Sequence, residues 1–232
     1  MNELKDRHIV VSGGTGSLGQ GIVSLLLENG ATCWIPVYGE QPPGLAFADH
    51  DRAHLIADVD LTQAASVKAF FAAMPSLWAS IHVAGGFVMS SIGDTSVDQF
   101  EGMWRMNTLS TFLSCQAAVG RMRESNTGGR IVNVAARPAV EPGGGMLAYT
   151  TSKAGVASLT ECLAHEVSKD EILVNAILPA IIDTPANRSA MPDADHESWP
   201  KPPEIAHTVR FLVSPNNALT SGALLPVYGK LL

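Results

Sequence analysis

Short apolar runs and helical patterns alternate along the chain. His8-Ile9-Val10-Val11 is an apolar run, and beyond a glycine-rich turn Ile22, Val23, Leu25, Leu26 and Leu27 recur at helical spacing until Asn29-Gly30 ends the helix. Residues 31–37 are strand-like, with Pro36 near their end, and residues 39–50, which hold Pro42-Pro43-Gly44, read as a loop. Residues 54–57 and 81–84 are strands on either side of a helix at 64–73. One long helix is expected over 100–124, a strand over 130–134, a helix over 148–168, a sixth strand over 172–177 and a seventh over 223–227. The strands are apolar throughout rather than alternating, so both faces of their sheet are expected to be covered. The pattern predicts an α/β fold, a doubly wound, Rossmann-like parallel sheet of about seven strands with helices on both faces. With no internal repeat or linker, residues 1–232 read as one domain. Residues 179–203, rich in Pro, Asp and Asn, are expected to be a substrate lid or a short helical excursion.

Composition narrows the function classes. With 46% hydrophobic and 16% charged residues the chain can bury a large core. A net charge of -7 argues against a nucleic-acid partner. Residues 1–6 are too polar for a secretion signal and no apolar run spans a membrane, so a cytoplasmic protein without a membrane partner is expected. Cys33, Cys115 and Cys162 lack ligand-like spacing. They read as buried free thiols, and no metal is expected.

The turn after the first strand reads Gly13-Gly14-Thr15-Gly16-Ser17-Leu18-Gly19. Glycines there permit close approach to a pyrophosphate, and the following helix offers free N–H groups and a positive dipole end. Its position between a strand and an amphipathic helix favours a nucleotide over an ordinary tight turn. Dinucleotide folds select NAD with an acidic residue at the end of the second strand. Here that end is Pro36-Val37-Tyr38-Gly39-Glu40, with neither an Asp at the expected position nor an Arg. Glu40 reaches the ribose only if the loop curls back. NAD and NADP both stay open, with a lean to NAD for want of basic residues nearby. Asp58-Val59 suits an adenine amino group and equally a helix cap.

On the predicted helix 148–168, Tyr149 and Lys153 are four residues apart and point the same way. An ammonium beside a phenol favours phenolate, lowering a pKa that starts at ~10 and readying the phenol for proton transfer. In order, the glycine loop, Asp58-Val59, Val83-Ala84-Gly85-Gly86, Asn107, Tyr149 with Lys153, and residues 179–184 resemble the short-chain dehydrogenase/reductase family over residues 8–229. That resemblance implies an oxidoreductase moving hydride between NAD(P) and a small-molecule substrate. It implies Tyr149 as the acid or base, and Lys153 as the group that lowers its pKa and binds the nicotinamide ribose. Asn107 would hold a water in the proton relay, or simply bond backbone. Ala84 and Gly85 would lie along the cofactor, and Pro179, Ile182 and Thr184 would meet its carboxamide and phosphates. His82 stands where the family has an asparagine, and a histidine at a strand end is more often structural than catalytic. The resemblance also implies a homodimer or homotetramer, formed through the helices carrying Asn107 and Tyr149.

Ala136 departs from the family, which places there a serine that stabilises charge on a substrate carbonyl. Losing one such donor costs ~10²–10³ in rate. Ala135 and Pro138 cannot replace it, and Arg137 does so only if it points inward. Either the chemistry needs no hydroxyl or the protein is a weak catalyst. The glycine-loop spacing, residues 83–86, Ala135-Ala136 and above all residues 178–199 are similar to the dihydropteridine reductases of that family, which lack the serine. This implies a quinonoid dihydropterin-like substrate, a conjugated imine whose reduction builds less alkoxide-like charge, so that a tyrosine donor suffices. A ketone or 3-oxoacyl reductase with a serine-less site is one alternative, and a catalytically weak nucleotide-binding protein is another. Phe87, Met191 and Trp199, with Ala136, are expected to shape an apolar pocket, or simply to pack.

Overall fold

The computed structural model describes residues 2–231. Strands β1 (His8–Ser12), β2 (Thr32–Pro36), β3 (Ala53–Ile56), β4 (Ala79–His82), β5 (Gly129–Val134), β6 (Ile172–Pro179) and β7 (Leu224–Val227) form one sheet in the order β3-β2-β1-β4-β5-β6-β7. Every neighbouring pair is parallel. Helices α1 (Ser17–Glu28), α2 (Ala64–Ala72), α3 (Val97–Trp104), α4 (Ser110–Ser125), α5 (Leu147–Glu166), α6 (Pro185–Ala190) and α7 (Pro202–Val213) connect them.

Because side chains alternate along a strand, an apolar run feeds two cores. On one face Ile9 and Val11 pack with Ile22 and Leu26 of α1 and with Ile205, Val209 and Leu212 of α7. Between them, Val10 joins the opposite core, with Val67 and Phe71 of α2 and Leu113, Val119 and Met122 of α4. The doubly wound fold read from these runs is therefore the fold observed. Strand order reverses between β1 and β4, which opens a crevice at the carboxyl ends of those strands.

The expected helix over 100–124 is two helices. Ser96 caps α3, accepting from the Gln99 N–H at 3.1 Å, and a π-helical turn, Arg105–Leu109, separates α3 from α4. A π turn takes in one extra residue, a single slip that the scattered apolar positions here do not reveal, so the stretch reads as one helix. Hydroxyls serve its loosened carbonyls: Ser110 donates to Met106 O at 2.6 Å and Thr111 to Asn107 O at 2.8 Å. Cys33 and Cys115 are buried as expected, but Cys162 lies exposed on α5. The 179–203 segment contains α6 and a 3₁₀ turn, His196–Ser198. Among the described residues no helix is long and apolar enough to cross a membrane, and no cluster of metal-binding side chains occurs.

Candidate active site

A groove of about 820 Å³ runs along the crevice. Gly13, Thr15, Gly16, Ser17, Leu18 and Gly19 form one wall, with Val59, Ala84 and Gly85 further along. Gly13 has φ +66°, and a Cβ there would lie 2.6 Å from the Ala84 N, so only glycine lets this loop rest against the end of β4. Gly16 is the N-cap of α1 and supplies no side-chain cap, which leaves the first N–H groups of the helix for a ligand. Pro36, Val37 and Tyr38 line the far end, with the Tyr38 ring 73% exposed.

Lys153 is buried on α5, and its ammonium donates to the Val134 carbonyl at 2.8 Å. Burial lowers its pKa to about 8, and burial likewise pushes the Tyr149 phenol up to about 12. The expectation that Lys153 pulls the phenol below its ordinary value is therefore corrected. The ammonium is engaged with a backbone carbonyl, and desolvation dominates at both groups. Tyr149 is held as a neutral phenol near pH 7, a proton donor, and its hydroxyl has no hydrogen-bond partner among the described residues. The Phe87 ring meets Tyr149 edge-on, centroids 4.9 Å apart and planes at 79°, and is itself 61% exposed.

Asn107 lies within the π turn and is fully buried. Its Oδ1 accepts from the Gly86 N–H at 3.0 Å, while Nδ2 donates to Gly86 O at 3.1 Å and Ser152 Oγ at 2.9 Å. Its side chain is thus committed to tying the loop after β4 to α5, one residue from Lys153. Gly85 sits beneath this knot, where a Cβ would collide with Asn107 Oδ1 and lie 3.2 Å from Lys153 Nζ. Gly85→Ala is expected to destabilise the fold by about 1–3 kcal/mol through overpacking. Thermal denaturation checks this, and a variant as stable as the parent would show that Asn107 can give way.

Other expected site residues are placed elsewhere. Asp58 adopts a left-handed φ of 59°, which turns it to solvent outside the groove lining. Asp60 lines the groove instead, its Oδ1 accepting from Thr62 N at 2.8 Å and Thr62 Oγ1 at 2.7 Å. Glu40 is exposed and outside it too. Pro179 ends β6, Thr184 caps α6, and Ile182 packs on the α1–α7 core; none lines the groove. His196 Nε2 donates to Met191 O at 2.8 Å, and the ring lies 4.6 Å from that of Trp199. Trp199 is buried and lines a second cavity of about 620 Å³ with Tyr228, Ile205 and Lys201, not the groove beside the glycine loop. Ala136 is buried just before a 3₁₀ turn that packs on α5. Arg137 turns away, bonded to Glu141 and to the Leu231 carbonyl, with its guanidinium over the Tyr228 ring. Arg105, a groove residue, gave no sequence signal.

Residues 7–195 match the family model described as short chain dehydrogenase. The chain is 27% identical to a cyclopentanol dehydrogenase of Comamonas sp. (strain NCIMB 9872), covering 99% of this chain and 98% of that one. It is 27% identical to an NAD-dependent glycerol dehydrogenase of Listeria innocua, over 97% and 94% of the two chains. A solved structure of a short chain dehydrogenase/reductase family protein superposes with a TM-score of 0.90 at 29% identity, over 98% and 97% of the chains.

Proposed function

Because the chain belongs to the short-chain dehydrogenase family and is thereby an NAD(P)-dependent oxidoreductase, we propose that it reduces a small, uncharged, planar substrate, a quinonoid dihydropterin being the representative case. One observation carries this reading. At Ala136–Arg137, beside the catalytic helix, the chain offers a methyl group and a guanidinium already committed elsewhere. A ketone oxygen gaining charge would find no second donor there. A conjugated imine spreads the charge over its ring and asks only for a proton.

The groove suits a dinucleotide: its glycine cradle would be filled by a Cβ, and the first turn of α1 is uncapped. Bound there, the nicotinamide ring supplies the hydride. The glycine loop and α1 would hold the pyrophosphate and Lys153 the nicotinamide ribose, while Pro179, Ile182 and Thr184, outside the groove lining, would have to close over it to meet the carboxamide end. Tyr149 donates its proton, and Lys153 stabilises the phenolate that remains. Phe87 and Met89, both exposed, offer apolar surface beside Tyr149 for a planar substrate. Residues 179–203 act as the lid of this site within a single domain. NAD is the proposed cofactor, in keeping with the name of the glycerol dehydrogenase relative and with a β2 end free of basic residues. A cytoplasmic homodimer or homotetramer completes the reading, supported by the exposed Val97, Phe100, Trp104 and Phe112 along α3 and α4.

A second reading, oxidation of secondary alcohols or reduction of ketones, is favoured by the names of the relatives. Cofactor oxidation separates the two. Purified protein with NADH is expected to turn over a quinonoid dihydropterin faster than cyclopentanone or a 3-oxoacyl thioester. Ketone turnover with the dihydropterin untouched would establish the second reading. NADH binding without turnover of any of them would mark a weak catalyst.

A further inference from the structure

The groove carries only two charged side chains among its described lining residues, Asp60 and Arg105. They are not equivalent. Asp60 is folded into its own turn, with Oδ1 bonded twice to Thr62 and its N–H donated to Ser66 Oγ at 3.0 Å. Arg105 is exposed, and its guanidinium makes no hydrogen bond or ion pair among the described residues, although its backbone is bonded within the helix. Its backbone is nonetheless fixed. It opens the π turn two residues before Asn107, whose side chain is locked to Gly86 and Ser152. A long cationic side chain thus stands on a rigid base in the groove wall with nothing of its own chain to bind.

We propose that Arg105 binds the adenylate half of the dinucleotide, its guanidinium plane lying against the adenine. This rests on the dinucleotide reading above. The pyrophosphate already has the glycine loop and the α1 N-terminus, and the nicotinamide end has Lys153. The remaining stretch of groove is lined by Val37, Tyr38, Val59 and Leu61, an apolar slot suited to a planar base. Guanidinium is flat, weakly hydrated and stacks on aromatic faces, whereas an ammonium acts as a point charge. No second cation joins Arg105 to build a site for an extra phosphate. Neutral purine is therefore the better match.

The test is calorimetric binding of NADH, AMP and nicotinamide mononucleotide to wild type, Arg105→Ala and Arg105→Lys. Arg105→Ala is expected to weaken NADH and AMP about fivefold, the scale of a partly exposed stack, and to leave the mononucleotide unchanged. Arg105→Lys keeps the charge without the plane and is expected to resemble the alanine variant. Lysine binding as tightly as arginine would overturn the stack, and equal NADH affinity in all three proteins would overturn the assignment altogether. Wild type that binds neither NADH nor NADPH would instead remove the dinucleotide reading on which it rests. Because the Arg105 side chain is exposed and holds no hydrogen bond or ion pair among the described residues, unchanged melting curves are expected alongside.

Discussion

Tyr149→Phe is expected to lower the rate of substrate reduction ~10²–10⁴-fold, the usual contribution of a positioned proton donor. Dinucleotide affinity and stability should hold. The phenol oxygen makes no bond within the described fold, so its removal leaves nothing unsatisfied, and the ring keeps its edge-on contact with Phe87. The loss should fall on kcat, because a donor acts only as the substrate takes up its proton. A variant that kept the parental rate would place the donor elsewhere. The pH profile adds an independent check. With Tyr149 pushed up to about 12, the phenol stays protonated across the working range. Lys153, lowered to about 8, is the group that titrates within it. Once Lys153 is neutral, proton donation leaves a phenolate with no ammonium beside it. Reduction is therefore expected to be flat on the neutral side and to fall as pH rises through about 8. A rate still flat well above that value would remove Lys153 from the step.

How much of this was legible beforehand follows from where each signal lies. The doubly wound parallel sheet came through because apolar strands and amphipathic helices are local patterns, and parallel strands joined by helices admit few topologies. Gly13, Gly16, Gly19, Tyr149 and Lys153 sit at spacings that a helix or tight turn converts directly into geometry. Residues brought in by tertiary packing did not show. Arg105 enters the groove through a π turn, whose one-residue slip is too local for the apolar pattern to show. Asp58 and Asp60 are separated only by a left-handed φ that sequence does not announce. The upward Tyr149 shift does not show in the sequence, because helical spacing puts the ammonium on the right face but does not reveal how far the phenol is buried. Trp199, read as a pocket residue, lines a different cavity because His196 folds the 191–199 segment back on itself.

His82 makes the second large prediction, one of stability. It lies 2% exposed at the end of β4, with Nε2 2.8 Å from Ser80 Oγ and Nδ1 2.8 Å from Asn133 Oδ1. Asn133 Nδ2 donates to Thr160 Oγ1 at 2.9 Å, and Thr160 donates to the Val156 carbonyl at 2.8 Å. A carbonyl can only accept, so the bonds from Thr160 back to His82 Nδ1 are fixed in direction. Nδ1 carries the proton, and in the neutral ring that burial favours Nε2 accepts from Ser80. Cys115, 3.5 Å from Nδ1, has its pKa raised to about 12 by burial and stays a thiol. No charge from α4 or α5 therefore compensates an imidazolium, and desolvation holds His82 at about 4, against 6.5 for a free side chain. The unfolded chain binds the proton first, so this contribution is complete above pH 6.5 and is lost as pH falls from there to about 4. The gap corresponds to roughly 3 kcal/mol. Replacing His82 by asparagine removes the titration and shortens the chain of bonds. The variant is expected to be less stable than the parent near pH 7.5 and to close that deficit on acidification. Urea unfolding of both proteins at several pH values isolates the difference from the carboxylates they share. A deficit that stays constant between pH 7 and 4.5 would mean that His82 is not what acid attacks in this fold.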